Sequence, residues 1–98
     1  MSIEEIKKII SPIVLKYPLK YVGVFGSYAK NLQTADSDID FLIQYTNPFS
    51  YFDLIKLEEE LGNALGVSVD VVTEASLSPF IKDVVIRESQ TILLEYFG

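Results

Sequence analysis

Three aspartates interrupt apolar stretches of this chain. Asp38 and Asp40 open the run Asp38-Ile39-Asp40-Phe41-Leu42-Ile43, and Asp70 stands inside Val67-Ser68-Val69-Asp70-Val71-Val72. Each run has the β-branched and aromatic content of a strand. Alternate residues of a strand point to one face, so Asp38 and Asp40 project together while Ile39 and Phe41 face the packed side. Two carboxylates about 5 Å apart repel by about 3 kcal/mol at an effective dielectric near about 20. A hydrophobic core has no use for that. A divalent cation reverses the sign, and an oxygen-only donor set suits Mg²⁺ or Mn²⁺. If the Asp70 strand lies beside the Asp38 strand, three carboxylates converge as they do in phosphoryl-transfer sites.

A second half-site precedes the pair. Gly26-Ser27 follows the strand-like run Tyr21-Val22-Gly23-Val24-Phe25. Glycine lets a backbone approach a ligand closely, and a helical turn starting at Ser27 leaves free N–H groups pointing outward. Those amides, the Ser27 hydroxyl and the Lys30 ammonium suit a triphosphate. Ten residues separate Ser27 from Asp38, enough to fold the two halves together.

The remaining composition removes other chemistries. The 98 residues contain no histidine, so histidine general bases are out and Ser27 has no partner to make it a nucleophile. There is no cysteine either, which rules out disulfides and thiolate metal sites. Fourteen acids against eight bases give a net charge of −6, which argues against direct nucleic-acid binding. No apolar run approaches the roughly 20 residues of a membrane span, and the acidic N-terminus is unlike a signal peptide. A soluble, cytoplasmic protein is expected, with one domain over residues 1–98.

The elements that must position these residues can be read in turn. Ser2-x-x-Glu5 is a capping box for a helix carrying Ile3, Ile6, Ile9, Ile10 and Ile13. Pro12 predicts a break there, with Ser11 capping a short second helix that Pro18 ends. Strands follow over Tyr21–Phe25 and from about Asp38. Ser50 then caps a long helix with Leu54, Leu57 or Glu58, Leu61 and Leu65 on one stripe and Gly66 as its stop. A strand over Val67–Val72, a helix from Ser78-Pro79 to about Glu88 and a short strand at Ile92–Leu94 complete the order. Glu58-Glu59-Glu60 reads as a solvated helix face, and Tyr45, Phe49, Tyr51 and Phe52 as core and helix entry. The fold class is α/β (α+β): a small mixed β-sheet covered by helices.

Gly26-Ser27, a ten-residue spacer, Asp38-x-Asp40 and a later Asp70 together resemble the DNA polymerase β-like nucleotidyltransferase superfamily. Within it the chain resembles the minimal nucleotidyltransferases, the MntA-like antitoxins of prokaryotes, over nearly its whole length. The resemblance implies that Asp38 and Asp40 ligate Mg²⁺, and that Asp70 ligates metal or helps deprotonate the acceptor. Gly26 and Ser27 would hold phosphates, with Lys30 adding charge. It further implies ATP as substrate, AMP transfer with release of pyrophosphate, and a HEPN-domain toxin as partner. Where the family often has Gly-Ser-x-Ala-Arg-Gly, this chain has Gly26-Ser27-Tyr28-Ala29-Lys30-Asn31. Lys30 keeps the charge without the bidentate fork of arginine, and Asn31 can adopt the left-handed conformation that glycine favours. That softened segment motivates an alternative, a non-catalytic module that neutralises its partner by occlusion. Asp36, Asp38 and Asp40 also begin like a calcium loop, but Phe41 stands where that loop needs glycine and Asn47 where it needs glutamate.

Overall fold

In the computed structural model, residues 1–94 are described. Helix α1 (Ile3–Val14) leads into β1 (Leu19–Phe25) and β2 (Ile39–Tyr45), and α2 (Tyr51–Leu65) precedes β3 (Val69–Thr73). A 3₁₀ turn over Glu74–Ser76, helix α3 (Pro79–Glu88) and β4 (Gln90–Leu94) follow. The four strands are ordered β3-β2-β1-β4. β1 pairs antiparallel with β2 and with β4, whereas β2 and β3 run parallel. A parallel pair needs a crossover, and α2 supplies it.

Strand periodicity divides the sheet into two faces. Val24, Phe41 and Val71 stand abreast across β1, β2 and β3 and are buried. Ile6, Ile10 and Val14 of α1 and Leu57, Leu61 and Leu65 of α2 pack with them into one core cluster. Leucine every fourth residue puts one stripe of α2 on the sheet, as its sequence predicts. Ser50 and Asp53 form a reciprocal capping box at its start, and Gly66 ends it at φ +72°, donating to the Gly62 carbonyl at 2.9 Å. The opposite face carries Asp40 and Asp70, followed by Leu42 and Val72 and flanked by Gly23 of β1.

Two local expectations are corrected. First, α1 continues through Pro12 as one helix. The proline is exposed two residues from the helix end, and the Lys8 carbonyl that loses a donor belongs to an exposed residue. Ser11 donates its hydroxyl to the Lys7 carbonyl, and the buried stripe Ile6, Ile10, Val14 runs across the proline. Continuous burial outweighs the missing hydrogen bond. Second, the glutamates of α2 are not merely solvated. Glu58 accepts the Val71 N–H at 3.2 Å on the outer edge of β3, and Glu60 pairs with Lys16 and accepts from the Tyr17 hydroxyl. The aromatic cluster divides as its sequence suggests, into core and helix entry. Tyr45 and Phe49 pack with ring centroids 4.8 Å apart, while Tyr51 and Phe52 are exposed.

Candidate active site

The end of β1 and the start of β2 bring the two half-sites together. Phe25 pairs with Asp40, so Gly26 leaves the sheet directly beside the Asp40 carboxylate. Gly26 has φ +72°, and any Cβ built there would collide with Asp40 Oδ2. Glycine is required twice over, by conformation and by space. Beyond it the chain makes a tight turn. Lys30 N–H reaches the Gly26 carbonyl at 3.3 Å, and Leu32 N–H reaches the Ser27 carbonyl at 2.9 Å. Asn31 closes the turn at φ +58°, the left-handed conformation foreseen for it. The N–H groups of Ser27, Tyr28 and Ala29 meet no acceptor among the described residues. Three adjacent free amides are the anion-facing feature of a helix start.

The acids follow the strand register. Asp40 and Asp70 are direct partners in the parallel β2–β3 ladder, side by side on the face away from the core. Asp38 lies just before β2 and is exposed, as is Asp70, whereas Asp40 is partly buried. The Asp40 carboxyl is held above its ordinary pKa, first by burial and then by the charges of Asp70 and Asp38. Both other acids therefore act on Asp40, and no cation among the described residues offsets them. Yet no three acids among the described residues form a preassembled metal cage. The convergence is a close pair, Asp40 with Asp70, and a third carboxylate that adds to the field. An oxygen-only, mutually repelling donor set fits a hard divalent cation, because the cation removes a repulsion already present.

Lys30 is less available than its position in the turn suggests. Its ammonium pairs with Glu88 Oε2 at 3.2 Å, so any anion would have to compete for it. Three residues escape sequence reasoning altogether. Glu88 at the end of α3, Ser89 after it and Gln90 at the start of β4 contact Lys30, Tyr21 and Ala29 respectively. No local pattern marks them, since their partners lie about 60 residues away in sequence. A cavity of about 330 Å³ lined by Lys20, Gln44, Tyr45 and Glu74 lies at the other end of the strands and holds none of the three aspartates.

This arrangement, a glycine turn against paired strand carboxylates on a mixed sheet, defines a nucleotidyl-transfer fold. A family model for the nucleotidyltransferase domain matches residues 3–92, and the chain belongs to that family as a minimal nucleotidyltransferase of the DNA polymerase β-like superfamily. MJ0435 of Methanocaldococcus jannaschii, named by inference a protein adenylyltransferase, is 44% identical over 93 residues, covering 95% of this chain and all of its own length. Protein adenylyltransferase MntA of Thermococcus cleftensis is 35% identical, covering 90% of this chain and 93% of its own. A solved structure assigned as a minimal nucleotidyltransferase superposes with a TM-score of 0.81 at 30% identity, covering 91% of this chain and 94% of that one. A toxin–antitoxin crystal structure with AMP-PNP shares the fold at a TM-score of 0.79 and 23% identity, covering 91% and 73%.

Proposed function

We propose that this nucleotidyltransferase is a protein adenylyltransferase that moves AMP from ATP to a hydroxyl of a partner protein. Its partner would be the HEPN-domain toxin of a toxin–antitoxin pair in the cytoplasm, with this chain as antitoxin. The observation that carries the reading is the closeness of Gly26 to Asp40, whose Oδ2 a Cβ at Gly26 would meet, so that the turn begins against the Asp40–Asp70 pair. The adenylyltransferase names of the relatives and the AMP-PNP complex of similar fold support the choice of nucleotide and partner.

In this reading the amides of Ser27, Tyr28 and Ala29 and the Ser27 hydroxyl bind the phosphates. Asp38, Asp40 and Asp70 would hold Mg²⁺ or Mn²⁺, which would neutralise phosphate charge and lower the pKa of the acceptor hydroxyl. Asp70, the exposed member of the pair, would help take the acceptor's proton. The acceptor oxygen forms a bond to the α-phosphorus as the bond from that phosphorus to pyrophosphate breaks. The carboxylates stand on an exposed sheet face, so the partner completes the cleft around the single domain read over residues 1–98.

Incubation with labelled ATP, Mg²⁺ and the product of the adjacent gene tests this. Label transfer to that protein is expected, and Asp38→Asn/Asp40→Asn is expected to abolish it. A second reading, neutralisation by occlusion, draws on the engagement of Lys30 by Glu88. Neutralisation that survives the double substitution with no transfer would favour it.

A further inference from the structure

We propose that Gln90 is a positioning residue for the nucleotide: it clamps the Gly26–Asn31 turn so that its free amides face the phosphates. This rests on the reading of that turn as the phosphate site. Gln90 is the first residue of β4, and its backbone pairs with Val24 of β1, two residues before Gly26. Its side-chain amide donates to the Ala29 carbonyl at 3.2 Å. A trans peptide is planar, so holding the Ala29 carbonyl toward Gln90 sends the Lys30 N–H the opposite way. That N–H closes the turn on the Gly26 carbonyl at a long 3.3 Å. Leu32 N–H on the Ser27 carbonyl at 2.9 Å holds the far side of the turn, and Gln90 reinforces the longer bond from a strand.

The residue before Gln90 makes the clamp rigid. Ser89 N–H donates to the Val85 carbonyl at 3.0 Å, and its hydroxyl donates to the Ile86 carbonyl at 2.8 Å. The Ser89 proton being so used, the Tyr21 hydroxyl donates to Ser89 Oγ, and the Tyr21 ring lies over Gly23. A side chain at Gly23 would displace it. The joint between α3 and β4 is thereby tied to β1 at Tyr21 and Val24 and to the turn at Ala29. The half-exposed Glu88–Lys30 pair contributes little as an ion pair; Gln90 is exposed as well, but its bond fixes a backbone carbonyl of the turn directly, so the positioning falls to it.

The test is calorimetric titration of the full chain with ATP and with inorganic tripolyphosphate, both with Mg²⁺. One hydrogen bond's worth of preorganisation makes the expected rise in Kd for Gln90→Ala about fivefold for both ligands. Gln90→Glu keeps the bulk but presents oxygen to oxygen at Ala29, and is expected to weaken binding at least as much. Thr91→Ala, a neighbouring exposed position, is expected to leave Kd unchanged, and the melting temperature should hold for all three. Unchanged affinity in Gln90→Ala, with binding weakened in Gly26→Ala, overturns the clamp and leaves the phosphate site standing. Unchanged affinity in both, or no ATP binding by the unaltered chain, overturns the two together.

Discussion

Asp40 concentrates the conflict between stability and function in one side chain. Burial and two neighbouring carboxylates raise its pKa in the folded chain. The folded state therefore binds a proton more readily than the unfolded state, and stability falls as pH rises through the window between the ordinary carboxylate value and the raised one. Ionised Asp40 costs stability at neutral pH. Asp40→Asn is thus expected to raise the metal-free melting temperature by a few degrees at pH 7, with the gain vanishing at a pH below the ordinary value. Thermal melts across that pH range check it, and a lower melting temperature at pH 7 would contradict the assignment. Gly26→Ala should do the reverse, because an alanine at φ +72° costs about 1–2 kcal/mol and its Cβ displaces the Asp40 carboxylate. Urea denaturation reads the loss, and nucleotide binding should weaken in parallel.

Among the elements, α2 is the structural centre, since it makes the crossover that sets Asp70 beside Asp40. Leu57 and Leu61 are fully buried beneath the sheet. Leu57→Ala should cost about 2–5 kcal/mol by urea midpoint. Glu58→Ala leaves the Val71 N–H of edge strand β3 without its partner and should cost about 1 kcal/mol, whereas Glu58→Gln retains the acceptor and most of the stability. The sequence made α2 legible from the Ser50 cap, the leucine spacing and Gly66, because all three act within a few residues. It misread α1 at Pro12, where tertiary burial of Ile6, Ile10 and Val14 overrides a local penalty. The 3₁₀ turn over Glu74–Ser76 has no periodic pattern and went unread. Helix α3 was legible from Ser78-Pro79, yet none of its residues is buried, and Phe80 is exposed.

At the scale of the molecule, an acidic chain sets Asp40 and Asp70 side by side, with Asp38 adding to the field on Asp40, and a bound cation should therefore stabilise it. Mg²⁺ or Mn²⁺ at 100 times Kd is expected to add about 2.7 kcal/mol by mass action, read as a rise in melting temperature that Asp40→Asn lacks. No rise with millimolar metal, alone or with ATP, would count against the metal reading. Among the described residues no helix is long and apolar enough to cross a membrane.

The amino-acid sequence by itself determined the approximate strands, most of the helices and the glycine turn, because periodicity and turn chemistry act over a few residues. It also identified the candidate residues by chemical type: oxygen ligands with no histidine or cysteine to rival them. Only the tertiary structure decided that β3 pairs in parallel with β2, that Asp40 stands against Gly26, and that Glu88 and Gln90 reach back to the turn. Those contacts join residues up to about 60 positions apart, where no local pattern records them and only the packing of helices on the sheet brings them together.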